Sequence, residues 1–310
     1  MRVLGVVFLG TNEFAAAILE RLAQSERHRP IFVLTRPDRP RGRGRQLASP
    51  PVAEAARALG LTLAQPPSVN DAETVAAIDA VHPEAVVVCA FGALIKEPLL
   101  SSHELLNVHP SLLPRWRGAA PIERAIMAGD ERTGVSILRL TAGLDSGPVC
   151  LAAEEPIHPS DTYGSLAPRL SDLGARLLLR TLDAKAQGTG LEFVEQDERE
   201  ATYAEKIAAE DRTLDPQRPA TALERVVRAL HPHIGARVAL ADGTLLGVRE
   251  ATLAPDAESE PGARGVIVAD GRLLLACAEG TLELRVVQPA GGRPMSGGAY
   301  LRGHGLAARP

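Results

Sequence analysis

Two runs of the chain leave almost no polar position free to face water: VLGVVFLG at residues 3–10 and EAVVVCAF at 84–91. A strand with one wet face alternates, so a strand that is apolar throughout must be covered on both sides, as in a parallel sheet packed between helices. The intervening segments supply those covers. TNEFAAAILERLAQ (11–24), PVAEAARALG (51–60) and residues 71–81 carry apolar residues at helical spacing, and they alternate with strand-like IFVLT (31–35), LTLAQ (61–65) and ELLNVH (104–109). GVSILRL (134–140) and PVCLAAEE (148–155) add two more strands, and a long helical stretch from Asp161 to Gln187 closes the series. The spacing predicts the α/β class, with an open, mostly parallel, Rossmann-like sheet.

Beyond residue 190 the pattern changes. ARVALA-DG-TLLGVREA, GVIVA-DG-RLLLACA and LACA-EG-TLELRVVQ each break an apolar run at a two-residue turn. Asp-Gly between such runs is a hairpin signal, because both turn residues tolerate positive φ. Five or more short strands in so short a stretch predict a small antiparallel β-barrel, of which the OB-like barrel is one common type. The chain of 310 residues therefore divides into an α/β domain (1–189), an acidic linker (190–207) and a C-terminal β-domain (208–310). Charge supports the same division. Residues 1–189 hold 20 Lys/Arg against 20 Asp/Glu, residues 190–215 hold 3 against 9, and residues 216–310 hold 11 against 9. The formal net charge of −4 thus hides a mildly basic C-terminal part, whose final 27 residues contain no carboxylate side chain.

Several function classes fail on spacing. The opening apolar run is too short for a leader or a membrane span, and a cytoplasmic protein with no membrane partner is expected. Cys89, Cys150 and Cys277 are scattered without a metal-binding or disulfide pattern, and no His/Glu pair has zinc spacing. GTNEF at 10–14 lacks the further glycines of a dinucleotide loop, there is no GxxxxGK[ST], and Ser111 is not in a GxSxG elbow.

The chemistry concentrates in LNVHPSLLPRWRGAAPI, residues 106–122. Side chains two apart on a strand share a face, so Asn107 and His109 point together while Val108 points away, and Pro110 ends the strand. Ligands of open α/β sheets bind beyond the strand carboxyl ends, where this pair falls. An amide beside an imidazole suits a developing oxyanion. TAGLDSGPV (141–149) supplies Asp145, a carboxylate able to fix the imidazole tautomer. The alternative is an ordinary strand-end histidine with a satisfied hydrogen bond, a turn-forming asparagine and a loop aspartate. What survives is acyl-type transfer without a metal and without a covalent enzyme intermediate.

NVHPSLLPRWRGAAPI followed by GLDSGPV resembles the folate-dependent formyltransferases, and the likeness extends through FLGTNEFAAAILERL, RPDRPRGRGRQLASPPV, ATYAEKIAAEDRTLDP and GGRPMSGGAYLRGHGL. The arginine loop and the tail resemble the branch of that family whose acceptor is an aminoacylated tRNA. This resemblance implies that the formyl group of 10-formyltetrahydrofolate passes to the α-amine of methionine on initiator methionyl-tRNA, supporting translation initiation, with Asn107, His109 and Asp145 as catalytic residues. It implies a folate slot along Ser111, Leu112, Leu113 and Pro114 and against Cys89, Ala90, Phe91 and Gly92. It also implies tRNA contacts by the loop arginines Arg36, Arg39, Arg41, Arg43 and Arg45, the last three near the acceptor stem. Arginine forks suit phosphates, and the Pro/Gly content of 36–45 predicts a segment that stays open until a partner orders it. A monomer is expected.

The chain departs from the family at 230–238, where LHPHIGARV stands in place of the usual Asn-Pro-x-Pro-Gly-Ala, and RQLASPPV has fewer lysines than is usual. Rival readings are a glycinamide ribonucleotide formyltransferase or a formyltetrahydrofolate hydrolase, neither of which accounts for the β-domain and its tail, and a noncatalytic RNA-binding protein.

Overall fold

The strands predicted to be covered on both faces are the centre of the first sheet. The computed structural model describes residues 3–41, 46–257 and 262–304, with only the backbone of Arg41. Its contacts divide the chain into two units: 1–121, 132–156 and 167–205 in the first, and 122–131, 157–166 and 206–310 in the second.

The first unit holds β1 (Leu4–Gly10), β2 (His28–Leu34), β3 (Leu63–Ala64), β4 (Ala85–Cys89), β5 (Leu105–His109), β6 (Arg132–Arg139) and β7 (Val149–Pro156). Their order across the sheet is β7-β6-β5-β4-β1-β2-β3. β1 to β5 run parallel, whereas β6 is antiparallel to β5 and β7 to β6. The order reverses at β1 and β4, the switch point where open α/β sheets leave a crevice. Register aligns the strand ends there, with Gly10 opposite Cys89 and Val88 opposite Asn107.

Helices α1 (Glu13–Ala23), α2 (Pro51–Ala58) and α3 (Ala72–Ala80) cover this sheet's strands as the patterning predicts. α1 is capped by Asn12, whose side chain accepts from the Ala15 amide, and it buries Phe14, Ile18, Leu19 and Leu22 on one face. α3 is capped in the same way by Asp71. After α4 (Pro121–Ala128), the long α5 (Tyr163–Gln187) brings Gly174 so close to β5 that an added methyl would sit 3.0 Å from Val108 Cγ1. Val108 thus faces α5, and Asn107 and His109 occupy the opposite face of β5.

The second unit contains α6 (Ala220–Leu230) and an antiparallel sheet of β8 (Ala236–Ala239), β9 (Leu245–Leu253), β10 (Gly265–Ala269), β11 (Arg272–Ala276), β12 (Thr281–Gln288) and β13 (Met295–Ser296), followed by α7 (Gly297–His304). The strand order is β8-β9-β12-β11-β10, with β13 on β12. Register shifts bend β9 after Val248, and the sheet curls until β8 and β10 touch, giving a small barrel-like domain. Turns fall at the predicted pairs, with Asp270 and Gly271 both at positive φ (51° and 71°). α6 sets Leu223, Val226, Val227 and Leu230 against Val238, Val248, Leu275 and Leu282 in the core. All three cysteines are free thiols. Among the described residues no helix is long and apolar enough to cross a membrane.

Two short ribbons were not foreseen. Arg39–Arg41 pairs antiparallel with Gln46–Ala48, so the stems of the arginine loop are strands where an open segment was predicted. Tyr203–Ala204 pairs parallel with Arg117–Gly118, so the acidic segment after residue 190 returns to the sheet's carboxyl edge.

Candidate active site at the carboxyl edge of the sheet

Strand alternation brings Asn107 and His109 to the same face, both deeply buried at 7% and 4% exposed. The 143–147 turn between β6 and β7 brings Asp145 to them. Asn107 Nδ2 donates to Asp145 Oδ1 (3.1 Å), the Gly118 amide donates to Asp145 Oδ2 (2.9 Å), and His109 Nδ1 lies 3.6 Å from the same Oδ2. The opposite ring nitrogen, Nε2, is 2.9 Å from the Trp116 carbonyl oxygen. A carbonyl only accepts, so Nε2 carries the hydrogen and Nδ1 is the nitrogen turned to the carboxylate. The main chain of Trp116 is therefore the nearer anchor of His109, while Asp145 is held by Asn107 and Gly118.

Asp145 sits at φ 46° and Trp116 at φ 64°, two non-glycine residues in the left-handed region. Such conformations persist where the surroundings over-determine them. The surroundings here come from the connector. Gln196 Nε2 donates to the carbonyls of Asp145 (2.8 Å) and Gly147 (2.7 Å), and Arg117 Nε donates to Gln196 Oε1 (3.0 Å). The rest of the Arg117 fork grips Glu198 (2.9 and 2.8 Å), and the Trp116 amide donates to Thr202 Oγ1 (2.9 Å). Arg117 is 1% exposed. A guanidinium so buried needs a paired acid. The bond to Arg117 holds the Glu198 carboxyl below its usual range, and the same bond raises Arg117.

The loop after β5 is also pinned. Ser136 Oγ donates to the Ser111 carbonyl (2.8 Å) and accepts from the Leu113 amide (3.1 Å), and the buried Ser111 hydroxyl is committed to the Arg115 carbonyl (2.6 Å). Leu112, Leu113 and Pro114 stay half-buried. Cys89 is buried at the end of β4, and burial pushes its thiol up, keeping it protonated.

A cavity of about 360 Å³ opens beside β1 and β4, lined by Thr11, Asn12, Arg36, Arg39, Ser49, Ala90, Phe91 and Gly92 among others. It joins residues predicted for two ligands: Ala90, Phe91 and Gly92 from the folate prediction, and Arg36 and Arg39 from the tRNA prediction. Ser111 to Pro114 and Cys89 are not in its lining. Arg36 donates to the Gly92 carbonyl (3.0 Å), and its Nε is buried without a partner among the described residues. Arg43, Arg45 and the Arg41 side chain lie outside the described residues. No group of three or more metal-ligating side chains occurs among the described residues.

Sequence reasoning did not find Trp116, Gly118, Ser136, Gln196, Glu198 or Thr202. Trp116 and Gly118 act through the main chain, which leaves no trace in side-chain pattern. For Gln196 and Glu198 one signal existed: a basic residue in the apolar stretch around 117 demands an acid, and the excess of acid lies in the connector.

The chain with this doubly wound sheet and small barrel-like domain is a member of the formyl transferase family. The model of the formyl transferase family matches residues 1–182, and that of the formyl transferase C-terminal domain matches residues 206–305. The chain belongs to the methionyl-tRNA formyltransferases within that family. The methionyl-tRNA formyltransferase of Thiobacillus denitrificans is 42% identical over 306 residues, covering 98% of this chain and 97% of that protein. The one from Ectopseudomonas mendocina is 42% identical over 297 residues, covering 94% and 92%. Among solved structures, HypX from Aquifex aeolicus in complex with tetrahydrofolic acid has the same fold, with a TM-score of 0.65 at 16% identity. It matches 98% of this chain, which spans about half of HypX, 48% of its length. An N-formyltransferase from Helicobacter canadensis, in complex with folinic acid and dTDP-3-aminofucose, aligns with a TM-score of 0.62 at 14% identity over 92% of this chain and 99% of its own.

Proposed function

We propose that this edge of the sheet transfers the formyl group of 10-formyltetrahydrofolate to the α-amine of methionine on initiator methionyl-tRNA, with Asn107, His109 and Asp145 as the catalytic residues. The carrying observation is the convergence of these three side chains, from β5 and a distant turn, in a chain of this family.

The amine nitrogen attacks the formyl carbon, the bond from that carbon to the folate nitrogen breaks, and the proton lost by the amine balances the one gained by the leaving nitrogen. An α-amine titrates near neutrality, so it needs little activation. Asn107 spends one amide hydrogen on Asp145 and directs the second to the formyl oxygen as negative charge develops there. His109, with Nε2–H fixed on the Trp116 carbonyl, takes up the proton in transit at Nδ1, and the Nδ1–H so formed donates to the same charge. Asp145 stabilises the positive imidazole form and, through water, accepts the amine proton.

In this reading the folate lies along Ser111, Leu112, Leu113 and Pro114 and against Cys89, Ala90, Phe91 and Gly92. The fixed loop geometry and the cavity edge at Ala90–Gly92 favour that placement. The arginines of 36–45 meet the tRNA backbone, and Arg36 and Arg39 set that contact beside the crevice.

The test is an assay of formyl-methionyl-tRNA formation with 10-formyltetrahydrofolate, using glycinamide ribonucleotide as the control acceptor. Formylation of the tRNA alone is expected. Asn107→Ala and His109→Ala should each lower kcat on the order of a hundredfold or more, since one oxyanion donor contributes about that much, while melting near the wild-type temperature. Wild-type turnover by either variant overturns the assignment.

A further inference from the structure

Gln196 belongs to the acidic connector, 51 positions from Asp145 in sequence, yet it makes two main-chain bonds to the turn that carries the catalytic carboxylate. One amide nitrogen has two hydrogens, and both are used: one on the Asp145 carbonyl and one on the Gly147 carbonyl. The amide oxygen takes Arg117 Nε. This fixes the amide's orientation, because a flipped amide would set its oxygen against two carbonyls and its NH₂ against a guanidinium. Arg117 is held in turn by Glu198, two residues beyond Gln196, through both terminal nitrogens.

The next residue along, Gly118, donates its amide to Asp145 Oδ2. The Arg117–Gly118 pair thus reaches Asp145 at both ends, the carboxylate directly and the main chain through Gln196. Gly118 can do this because it lies at φ 119° with its α-carbon against the paired connector strand, where an added methyl would be 2.9 Å from the Ala204 carbonyl oxygen. Asn107 and Gly118 hold the Asp145 carboxylate, whereas the Gln196 amide holds the main chain of the turn; without it the Asp145 and Gly147 carbonyls lose their shared donor at a backbone kept at φ 46°.

We propose that Gln196 is a positioning residue for formyl transfer: its amide, oriented by Arg117, fixes the Asp145 turn so that the carboxylate meets His109 and Asn107. This rests on the catalytic reading of Asp145 given above. Gln196 touches no reacting atom and acts only through the turn, so its loss should appear in kcat rather than in substrate affinity. A displacement of about 1 Å in a catalytic group costs on the order of a hundredfold.

The experiment combines steady-state and single-turnover formylation for Gln196→Ala, Gln196→Glu, Asp145→Ala and the double variant Gln196→Ala/Asp145→Ala. Gln196→Glu keeps the oxygen that receives Arg117 and replaces the two-hydrogen donor with a carboxylate oxygen set against the two carbonyls, its charge paired by Arg117, so the loss of the donor is read in a second variant that keeps the Arg117 link if Gln196→Ala melts early. Both single Gln196 variants should lose roughly ten- to a hundredfold in kcat with both KM values within about twofold. In the Asp145→Ala background, Gln196→Ala should add less than about twofold, because the two changes act on one element. A normal kcat for Gln196→Glu, or fully additive losses in the double variant, would overturn the proposal. A normal kcat for Asp145→Ala would overturn the catalytic reading instead, so the two failures are distinguishable.

Discussion

At the scale of single residues, the Asp145 turn is tight for a reason that glycines make testable. A methyl at Gly147 would overlap the Arg139 carbonyl oxygen of the main chain, whereas one at Gly143 would meet only the Ser146 hydroxyl, which can rotate away. Gly147→Ala must open the turn, and overpacking of this kind costs about 1–3 kcal/mol. Its denaturation midpoint and its kcat should both fall, with Gly143→Ala near wild type in both; equal behaviour of the two variants would dissociate turn geometry from activity. Residues of this kind also mark what a sequence displays. Asn107 and His109 are legible because a strand period of two and a following proline say which way they point. The Trp116 carbonyl that anchors His109 is invisible, since every residue has a carbonyl and only the fold selects one.

At the scale of elements, long or strongly patterned segments were readable and short ones were not. β1 and β4 announce themselves by apolar runs and the hairpins by Asp-Gly and Glu-Gly, because burial and turn chemistry act locally on those residues. The two-residue strand at Tyr203–Ala204 has no period to detect, and the acid of its neighbourhood reads as a solvated linker until the buried Arg117 is known to need it. A similar pairing ties elements within the second unit, where both terminal nitrogens of Arg124, on α4, grip Asp211 at 2.9 and 2.8 Å. That contact, chiefly, holds the Asp211 carboxyl below its usual range. A depressed carboxyl contributes stability that is present above the unfolded-state value and lost as pH falls through the folded-state value. Asp211→Asn should therefore melt below wild type at neutral pH, and the two melting curves should converge in acid below the ordinary aspartate range. A constant gap between them at every pH would show that the carboxylate charge is not what matters.

At the scale of the whole molecule, a protein of net charge −4 that acts on a polyanion must present its positive charge locally. Arg36 and Arg39 sit at the crevice, and Arg39 is exposed on the ribbon stem of the arginine loop. A side chain that neutralises one phosphate contributes about 0.7–0.9 to the slope of log affinity against log salt, through the counterion it releases. Arg39→Ala should flatten the salt dependence of kcat/KM for the tRNA by roughly that amount, leave kcat at saturating tRNA near wild type, and leave the KM for the folate unchanged. Gln196→Ala should behave in the opposite way, with a lower kcat and the wild-type slope. The contrast separates the two jobs that the proposed function assigns to one sheet edge, holding a polyanion and holding a carboxylate still. An unchanged slope in Arg39→Ala would remove the ribbon from the RNA contact and leave the crevice to the folate alone.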